Sequence, residues 1–385
     1  MIAVIADDLT GAAELGGIGL RYNLKVEITT SADLDSTADL LIIATDTRSM
    51  PEAQAMAKTV QISFALDKIK PDIIFKKVDS VLRGHIINEL QVHLALLNLD
   101  KAFVVPANPA FGRIITNGKY FINDEPIHLT SFASDPEFPA TSNDVLKMLR
   151  VNNDNVYLHK TDDTLPVSGI IIGECSTNQH LQSWVNKADK NTLLTGGSGL
   201  FTALLESLNL NAQIIPGEPL GEFPCPALFV CGSKHDESRQ SISKIKADGG
   251  PVSYMPYDII KAKEPPESLF ENWADEIVSL LNSRKKAIIA IDEHTTKDIA
   301  ITAADLRNKK SIVVDKVFKK IAIKNLLIEG GSTAAAIINR LNIKRFSPVN
   351  ELGPGVITMK ADAYNDLFVT LKPGSYNWPS YIWNF

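Results

Sequence analysis

Short apolar runs of strand length alternate with amphipathic stretches through the first half of the chain. Residues 3–6, 40–44, 73–76, 102–105, 155–158, 169–172 and 192–194 read as buried strands, and 52–66, 86–97, 145–149, 180–185 and 200–208 as the helices between them. Strands that are apolar on both faces and separated by helices predict right-handed βαβ units and a mostly parallel sheet covered on both sides. Residues 114–129 break this rhythm, where Asn117-Gly118 between alternating residues predicts a β-hairpin insertion. Residues 209–226 carry Pro216, Gly217, Pro219, Gly221, Pro224 and Pro226 and read as a linker. A second set follows, with strands at 228–231, 252–255, 287–291 and 326–328, helices at 237–245, 269–281 and 333–341, and a β-rich tail. The pattern predicts an α/β protein of two α/β domains, residues 1–212 and 213–385, with mostly parallel sheets and an interdomain cleft, a preferred place for ligands.

Composition narrows the classes. Of 385 residues, 45% are hydrophobic and 22% charged, as in a globular enzyme, and the net charge of −6 argues against nucleic acid or an anionic membrane as partner. Cys175, Cys225 and Cys231 are too scattered for a disulfide framework or paired zinc ligands, and the histidines fall singly, so no metal site is expected. A strand entered without a basic leader and long apolar core argues for the cytoplasm.

The chemistry gathers at predicted strand ends. The first strand closes in Asp7-Asp8 and runs through Leu9-Thr10-Gly11-Ala12 into a helix, which places carboxylates where open α/β sheets bind ligands. At strand pitch the two side chains point opposite ways, and one could simply cap the helix while the other is solvated. Lys76-Lys77-Val78-Asp79-Ser80-Val81-Leu82-Arg83-Gly84-His85 ends another strand, and Arg48 follows Thr45-Asp46-Thr47 at the end of a third. Lys76 and Arg83 could be a solvated pair and Asp79 or Ser80 a cap, but alternation would turn some of these charges inward, where each needs a partner or ligand. Pro106-Ala107-Asn108-Pro109-Ala110-Phe111-Gly112-Arg113 forms a rigid loop on a further strand. Asp8, Arg48, Lys77, Asp79, Ser80 and Arg83 together suit a small polyhydroxylated acid, with cations for its carboxylate and Asp and Ser for its hydroxyls.

In the second half, Leu326-Leu327-Ile328-Glu329 runs through Gly330-Gly331-Ser332-Thr333 into an Ala-rich helix, a turn whose backbone amides could approach phosphate oxygens. Ser and Thr are also ordinary N-caps. Val230-Cys231-Gly232-Ser233, Gly353-Pro354-Gly355 and Lys372-Pro373-Gly374 add further glycine turns, which together fit a nucleotide held by backbone. Neither a P-loop nor a dinucleotide fingerprint is present.

These motifs, spanning both halves, resemble the four-carbon acid sugar kinase family, whose members phosphorylate threonate, erythronate or close relatives with ATP. The resemblance rests on Ala6-Asp7-Asp8-Leu9-Thr10-Gly11-Ala12, on Lys77 through Gly84, on Pro106 through Arg113 with Asn117-Gly118, and on Gly330 through Thr333. It implies a sugar-acid site at Asp8, Arg48 and Lys77-to-Gly84, and an ATP site at Ser233, Gly330, Gly331, Ser332, Thr333 and Gly374, with Gly353 and Gly355 as further nucleotide-binding turns. Asp8 or Asp79 would orient or deprotonate the acceptor hydroxyl, with Asp8 favoured as base, Lys77 or Arg83 would offset charge on the transferring group, and Mg²⁺ would bridge the phosphates. Gly330-Gly331-Ser332-Thr333 stands where the family commonly has Gly-Gly-Glu-Thr, and Gly374-Ser375-Tyr376-Asn377-Trp378 where it has a Gly-Asn-Phe-Gly-like ending.

Two other classes compete with this reading. A haloacid-dehalogenase-type phosphohydrolase needs a second Asp two residues after its nucleophile, and Leu9 and Thr10 occupy those places. A two-lobed cytosolic sensor of sugar acids, or a degenerate kinase, would close on its ligand without phosphoryl transfer. Trp378, Tyr381 and Trp383 read as packing for the terminus or for a subunit contact, which leaves a homodimer open.

Overall fold

A computed structural model of the protein describes residues 1–135, 138–151, 155–212, 223–232, 236–295, 299, 301–374 and 376–385. Most of the predicted linker lies outside them. The chain divides into two compact units, Met1–Ile214 and Ile215–Phe385.

In the first unit the strands are β1 (Ile2–Ala6), β2 (Val26–Thr29), β3 (Leu40–Ala44), β4 (Ile73–Lys77), β5 (Lys101–Val105), β6 (Arg113–Thr116), β7 (Lys119–Ile122), β8 (Glu125–Pro126), β9 (Val156–His159), β10 (Gly169–Gly173) and β11 (Thr192–Gly196). Its helices are α1 (Leu9–Arg21), α2 (Glu52–Ile69), α3 (Ile86–Leu96), α4 (Val145–Met148), α5 (Asn178–Lys187) and α6 (Ser198–Ser207). Parallel pairing runs in the order β2-β3-β1-β4-β11-β5-β10-β9. Every residue of β1 and β3 is buried, because helices cover both faces. On one face Ala3, Ile5, Leu41 and Ile43 pack against Ile62 and Leu66 of α2. The glycines of α1 let it lie close: a Cβ on Gly19 would come within 2.6 Å of Leu40 and 2.8 Å of Val26. The predicted hairpin is present as the antiparallel sheet β6-β7-β8, with Asn117 and Gly118 both at positive φ in the turn.

The second unit carries β12 (Ala227–Val230), β13 (Val252–Tyr254), β14 (Lys286–Ala290), β15 (Asn325–Glu329), β16 (Arg345–Gly353), β17 (Val356–Ala361) and β18 (Phe368–Lys372). Its helices are α7 (Asp236–Ala247), α8 (Tyr257–Lys261), α9 (Glu267–Arg284), α10 (Ala303–Lys320) and α11 (Gly331–Arg340). β13-β14-β12-β15-β18 pair in parallel, and β17 and β16 extend them antiparallel. Trp378 and Trp383 lie edge-on to Phe229 of β12, with centroids 5.8 and 5.4 Å away, so the terminal aromatics pack this unit's own sheet.

The orders β2-β3-β1-β4 and β13-β14-β12-β15 are the same topology. In each, the chain leaves its first strand toward one side, returns through the third, then crosses to the fourth strand on the other side. The connection leaving β1 runs toward one edge and that leaving β4 toward the other, and likewise for β12 and β15, so a crevice opens at the carboxyl ends of β1 and β4, and again at those of β12 and β15. Among the described residues no helix is long and apolar enough to cross a membrane.

Candidate functional site

The first crevice collects the charged groups that end β1, β3 and β4. Asp8 is the N-cap of α1 in extended conformation; its Oδ1 accepts from the Gly11 amide at 2.9 Å and its Oδ2 from the Thr10 hydroxyl at 2.5 Å. Arg48 sits on a 3₁₀ turn, Thr47–Ser49, entered through Asp46 in the left-handed region. Its guanidinium donates twice to Asp7, Nε at 3.0 Å and NH2 at 2.7 Å, and once to Asp8 Oδ2 at 3.0 Å. Asp7 and Asp8 are therefore both buried, at 3% and 6% exposure, and converge on one cation. This corrects the expectation of opposed side chains: β1 ends at Ala6, and the two-residue alternation ends with it. The capping reading of Asp8 holds, but the remaining Asp is not solvated.

Arg83 makes a fork to Asp79, with Nε and NH2 each 2.8 Å from a carboxylate oxygen, while its NH1 reaches Asp135 at 2.8 Å. Its bidentate face is thus occupied from within the protein. Lys76 and Arg83 do not form a solvated pair: Lys76 is 1% exposed and ion-paired with Glu89 of α3. Ser80 accepts from Arg113, and Gly84, at φ +98°, lies against the Arg48 side chain.

Lys77 is held more loosely. Its ammonium donates to the Val78 carbonyl at 3.0 Å and stands 3.8 Å from Glu14. A Cβ on Gly11 would lie 2.6 Å from Asp8 Oδ1 and 3.2 Å from Lys77 Nζ, so carboxylate and ammonium overlook the same small space.

Burial pushes the Asp7 carboxyl up, against the pull of Arg48. Asp8 is as deeply buried, yet Arg48, Lys77, the Thr10 hydroxyl and the Gly11 amide hold it below the usual carboxylate range. Asp79 overcomes burial in the same way, held far down by Arg83 and then Arg48. Both carboxylates are anionic at neutral pH. The oxygens of Asp79 are taken by Arg83, which donates from Nε, NH2 and its backbone amide. Among the described residues Asp8 Oδ1 takes only the Gly11 amide, which leaves it room for one more donor such as a ligand hydroxyl.

In the second crevice, Gly330 caps α11 at φ +93° with no side-chain hydrogen bond, and a Cβ there would meet nothing within 4 Å. Gly330 has no side chain to cap this helix, and an uncapped helix start is the arrangement that receives anionic oxygens. Thr333 is buried, and Ser332 is half-buried with a polar partner of its own. The Gly330 amide donates to the Lys372 carbonyl at 2.9 Å, which brings the Pro373-Gly374 turn alongside. A Cβ on Gly355 would meet the Tyr376 ring of that turn at 2.6 Å, whereas one on Gly353 would meet Pro379 at 3.5 Å. Ser233 lies outside the described residues.

Several groups beside these crevices were missed in the sequence. Asp135 positions Arg83; α6 begins at Ser198 without a side-chain cap; and Asn108 donates to the Ser198 hydroxyl at 3.1 Å. The sequence signal was present, since Thr195-Gly196-Gly197-Ser198 is a strand-to-helix glycine turn like Gly330 through Thr333.

Comparison with known proteins follows the same division. A family described as a sugar-binding N-terminal domain matches residues 2–204, and one described as a nucleotide-binding C-terminal domain matches 228–376. A D-threonate kinase of Salmonella typhimurium is 23% identical over 410 residues, covering 97% of this chain and 94% of its own. A 3-oxo-tetronate kinase of Brucella melitensis is 24% identical over 417 residues, covering 97% and 92%. The crystal structure of a Haemophilus influenzae protein superposes with a TM-score of 0.70 at 19% identity, covering 97% of each chain, and shares the fold.

Proposed function

The chain belongs to the four-carbon acid sugar kinase family, and we propose from that membership that it transfers the γ-phosphate of ATP to a hydroxyl of a small sugar acid such as threonate or erythronate. We assign the sugar acid to residues 1–212 and the nucleotide to residues 213–385. The observation that carries the assignment of roles is the convergence of Asp8 Oδ1 and Lys77 Nζ on one point over Gly11.

An acceptor hydroxyl hydrogen-bonded to Asp8 would be oriented by a carboxylate that stays ionised and can take its proton as the new ester bond forms. The Lys77 ammonium beside it would meet the negative charge of the arriving phosphoryl group, and phosphoryl transfer depends mainly on such alignment and neutralisation. Arg48, Asp79 and Arg83 would hold these two groups in place while their outer edges, with Ser80 and Gly84, contact the acid. The amides of Gly330, Gly331, Ser332 and Thr333 would receive phosphate oxygens, with Gly374 and Gly355 beside them, and Ser233 and Gly353 belong to the same proposal.

Mg²⁺ enters as the nucleotide's own counter-ion. Among the described residues no group of three His, Cys, Asp or Glu side chains could cage a metal, and Mg²⁺ is usually bound through phosphates with one or two carboxylates. It would supply charge neutralisation on the phosphates.

The test is ADP release by the purified protein with ATP, Mg²⁺ and a panel of three- to six-carbon aldonic acids. Turnover that depends on a four-carbon acid is the expected result. Sugar-acid binding by calorimetry without any ADP release would replace the kinase with a sensor.

A further inference from the structure

We infer that Lys310, on α10 of the second unit, is a phosphate-binding cation of the nucleotide site. The inference deepens the ATP assignment above and rests on it. α10 joins β14 to β15 and so crosses β12, and the first half of the helix lies toward the carboxyl ends of those strands. Lys310 extends from that half to the end of β12, where its ammonium donates to the Cys231 carbonyl at 3.3 Å. β12 and β15 are paired in register at Val230 and Ile328, which sets Cys231-Gly232 level with Glu329-Gly330. A Cβ on Gly232 would lie 2.3 Å from the Thr333 hydroxyl and 2.8 Å from the Glu329 carbonyl. The ammonium is thus placed at the base of the turn that opens α11.

Among the described residues, the charge at this place does not balance. Lys310 is 2% exposed, and among the described residues its ammonium makes one hydrogen bond, a long contact to a neutral carbonyl. The buried carboxylate beside it, Glu329, is paired with Lys372 at 3.5 Å and accepts from Ser238 at 3.0 Å. Cys231 offers no negative charge, since burial, and next the Glu329 carboxylate, push its thiol well up. Arg307, one helical turn back, adds repulsion. Burial depresses the Lys310 ammonium to about 8, and the Glu329 carboxylate, shared with Lys372, offsets that burial only in part. A buried ammonium with spare donors beside an uncapped helix N-terminus is completed by a polyanion, and a nucleotide di- or triphosphate supplies one.

Two measurements test this. Lys310→Met should weaken ADP binding, read by calorimetry, roughly 10- to 100-fold, the range for loss of one charge-assisted hydrogen bond. Adenosine binding and the KM for the sugar acid should stay within about twofold, and Lys310→Arg should restore part of the ADP affinity. In wild-type protein at pH 8, ADP binding should take up a fraction of a proton, seen as a dependence of the binding enthalpy on buffer ionisation heat, because the phosphates raise the ammonium's proton affinity. That second measurement needs no variant and stands if Lys310→Met does not fold. Wild-type turnover together with unchanged ADP affinity in Lys310→Met, or with no proton uptake at pH 8, would overturn the inference and leave the kinase assignment intact. Absence of ATP turnover and of ADP binding in the wild type would instead remove the kinase reading on which it rests.

Discussion

Asp8 Oδ1 and Lys77 Nζ, the ends of side chains that close β1 and β4, overlook one point in space, 2.6 and 3.2 Å from where a Gly11 Cβ would stand. Parallel neighbours in register, Ala6 beside Lys77, bring the two together. A carboxylate with a spare lone pair and an ammonium with spare donors, sharing a space that only glycine leaves open, make a place where a hydroxyl and a phosphoryl group could meet.

Asp8→Asn keeps a competent helix cap, because Asn is as good an N-cap as Asp, but removes the proton acceptor. The fold should be retained with a lowered melting temperature, because the buried ion pair with Arg48 loses its negative partner, while kcat falls by about 10²- to 10⁴-fold. Steady-state ADP release beside a thermal melt checks this, and near-normal kcat would withdraw the role of base from Asp8.

Gly11→Ala puts a methyl where Asp8 and Lys77 converge. Inside α1, Ala is the better helix former by up to about 1 kcal/mol, yet its methyl would collide with Asp8 Oδ1 and crowd Lys77. We expect an unchanged or lowered melting temperature, because the methyl displaces the buried Asp8 oxygen that caps the Gly11 amide, with kcat/KM at least about tenfold lower, since misplacement of reacting groups by about 1 Å can cost 10²-fold. Full activity in this variant would show that the shared space is not used.

Lys76 and Glu89 are buried at 1% and 2% side-chain exposure and ion-paired away from the site, with Glu89 Oε1 lacking a hydrogen-bond partner. Glu89→Leu strands a buried ammonium and should cost about 3–5 kcal/mol in urea unfolding, whereas Lys76→Met with Glu89→Leu should recover most of that loss. A double variant as unstable as the single one would mean that the pair matters through packing and not through charge.

His93 lies beneath the same pair, its Nδ1 2.8 Å from the Ser63 hydroxyl and its Nε2 without a hydrogen-bond partner. Burial, and then Lys76, hold its pKa well below the usual histidine value. The unfolded chain therefore binds a proton near pH 6.5 that the native ring refuses, so stability is full above that pH and falls as pH drops below it, by up to about 1.4 kcal/mol per unit. Urea unfolding at pH 7 and 5.5 should show a smaller loss in His93→Gln than in wild type. Equal losses would exclude His93 as the source.

Much of this architecture was legible because burial on both faces leaves a plain signature. Ile2–Ala6 and Leu40–Ala44 are apolar throughout, and the Asn117-Gly118 turn announces its hairpin. Other elements were hidden for physical reasons. β2, Val26–Thr29, is short and holds a charged Glu27, and α10 buries Lys309, Lys310 and Ser311, which erases the apolar stripe that marks a helix. In both cases polar groups find partners that are distant in sequence, as Lys309 does at the carbonyls of Ile260 and Ala262.

The sequence by itself determined the α/β class, the carboxylates and cations at strand ends, and the glycine turn before α11, because local periodicity and turn chemistry act over a few residues. Tertiary structure alone decided which charge meets which: Arg48 reaches back 41 residues to Asp7, Arg83 turns its fork on Asp79 and not outward, and Lys310 crosses to Cys231. Those pairings follow from strand order, and strand order is set by how crossovers bury helices against a sheet, which no window of sequence contains.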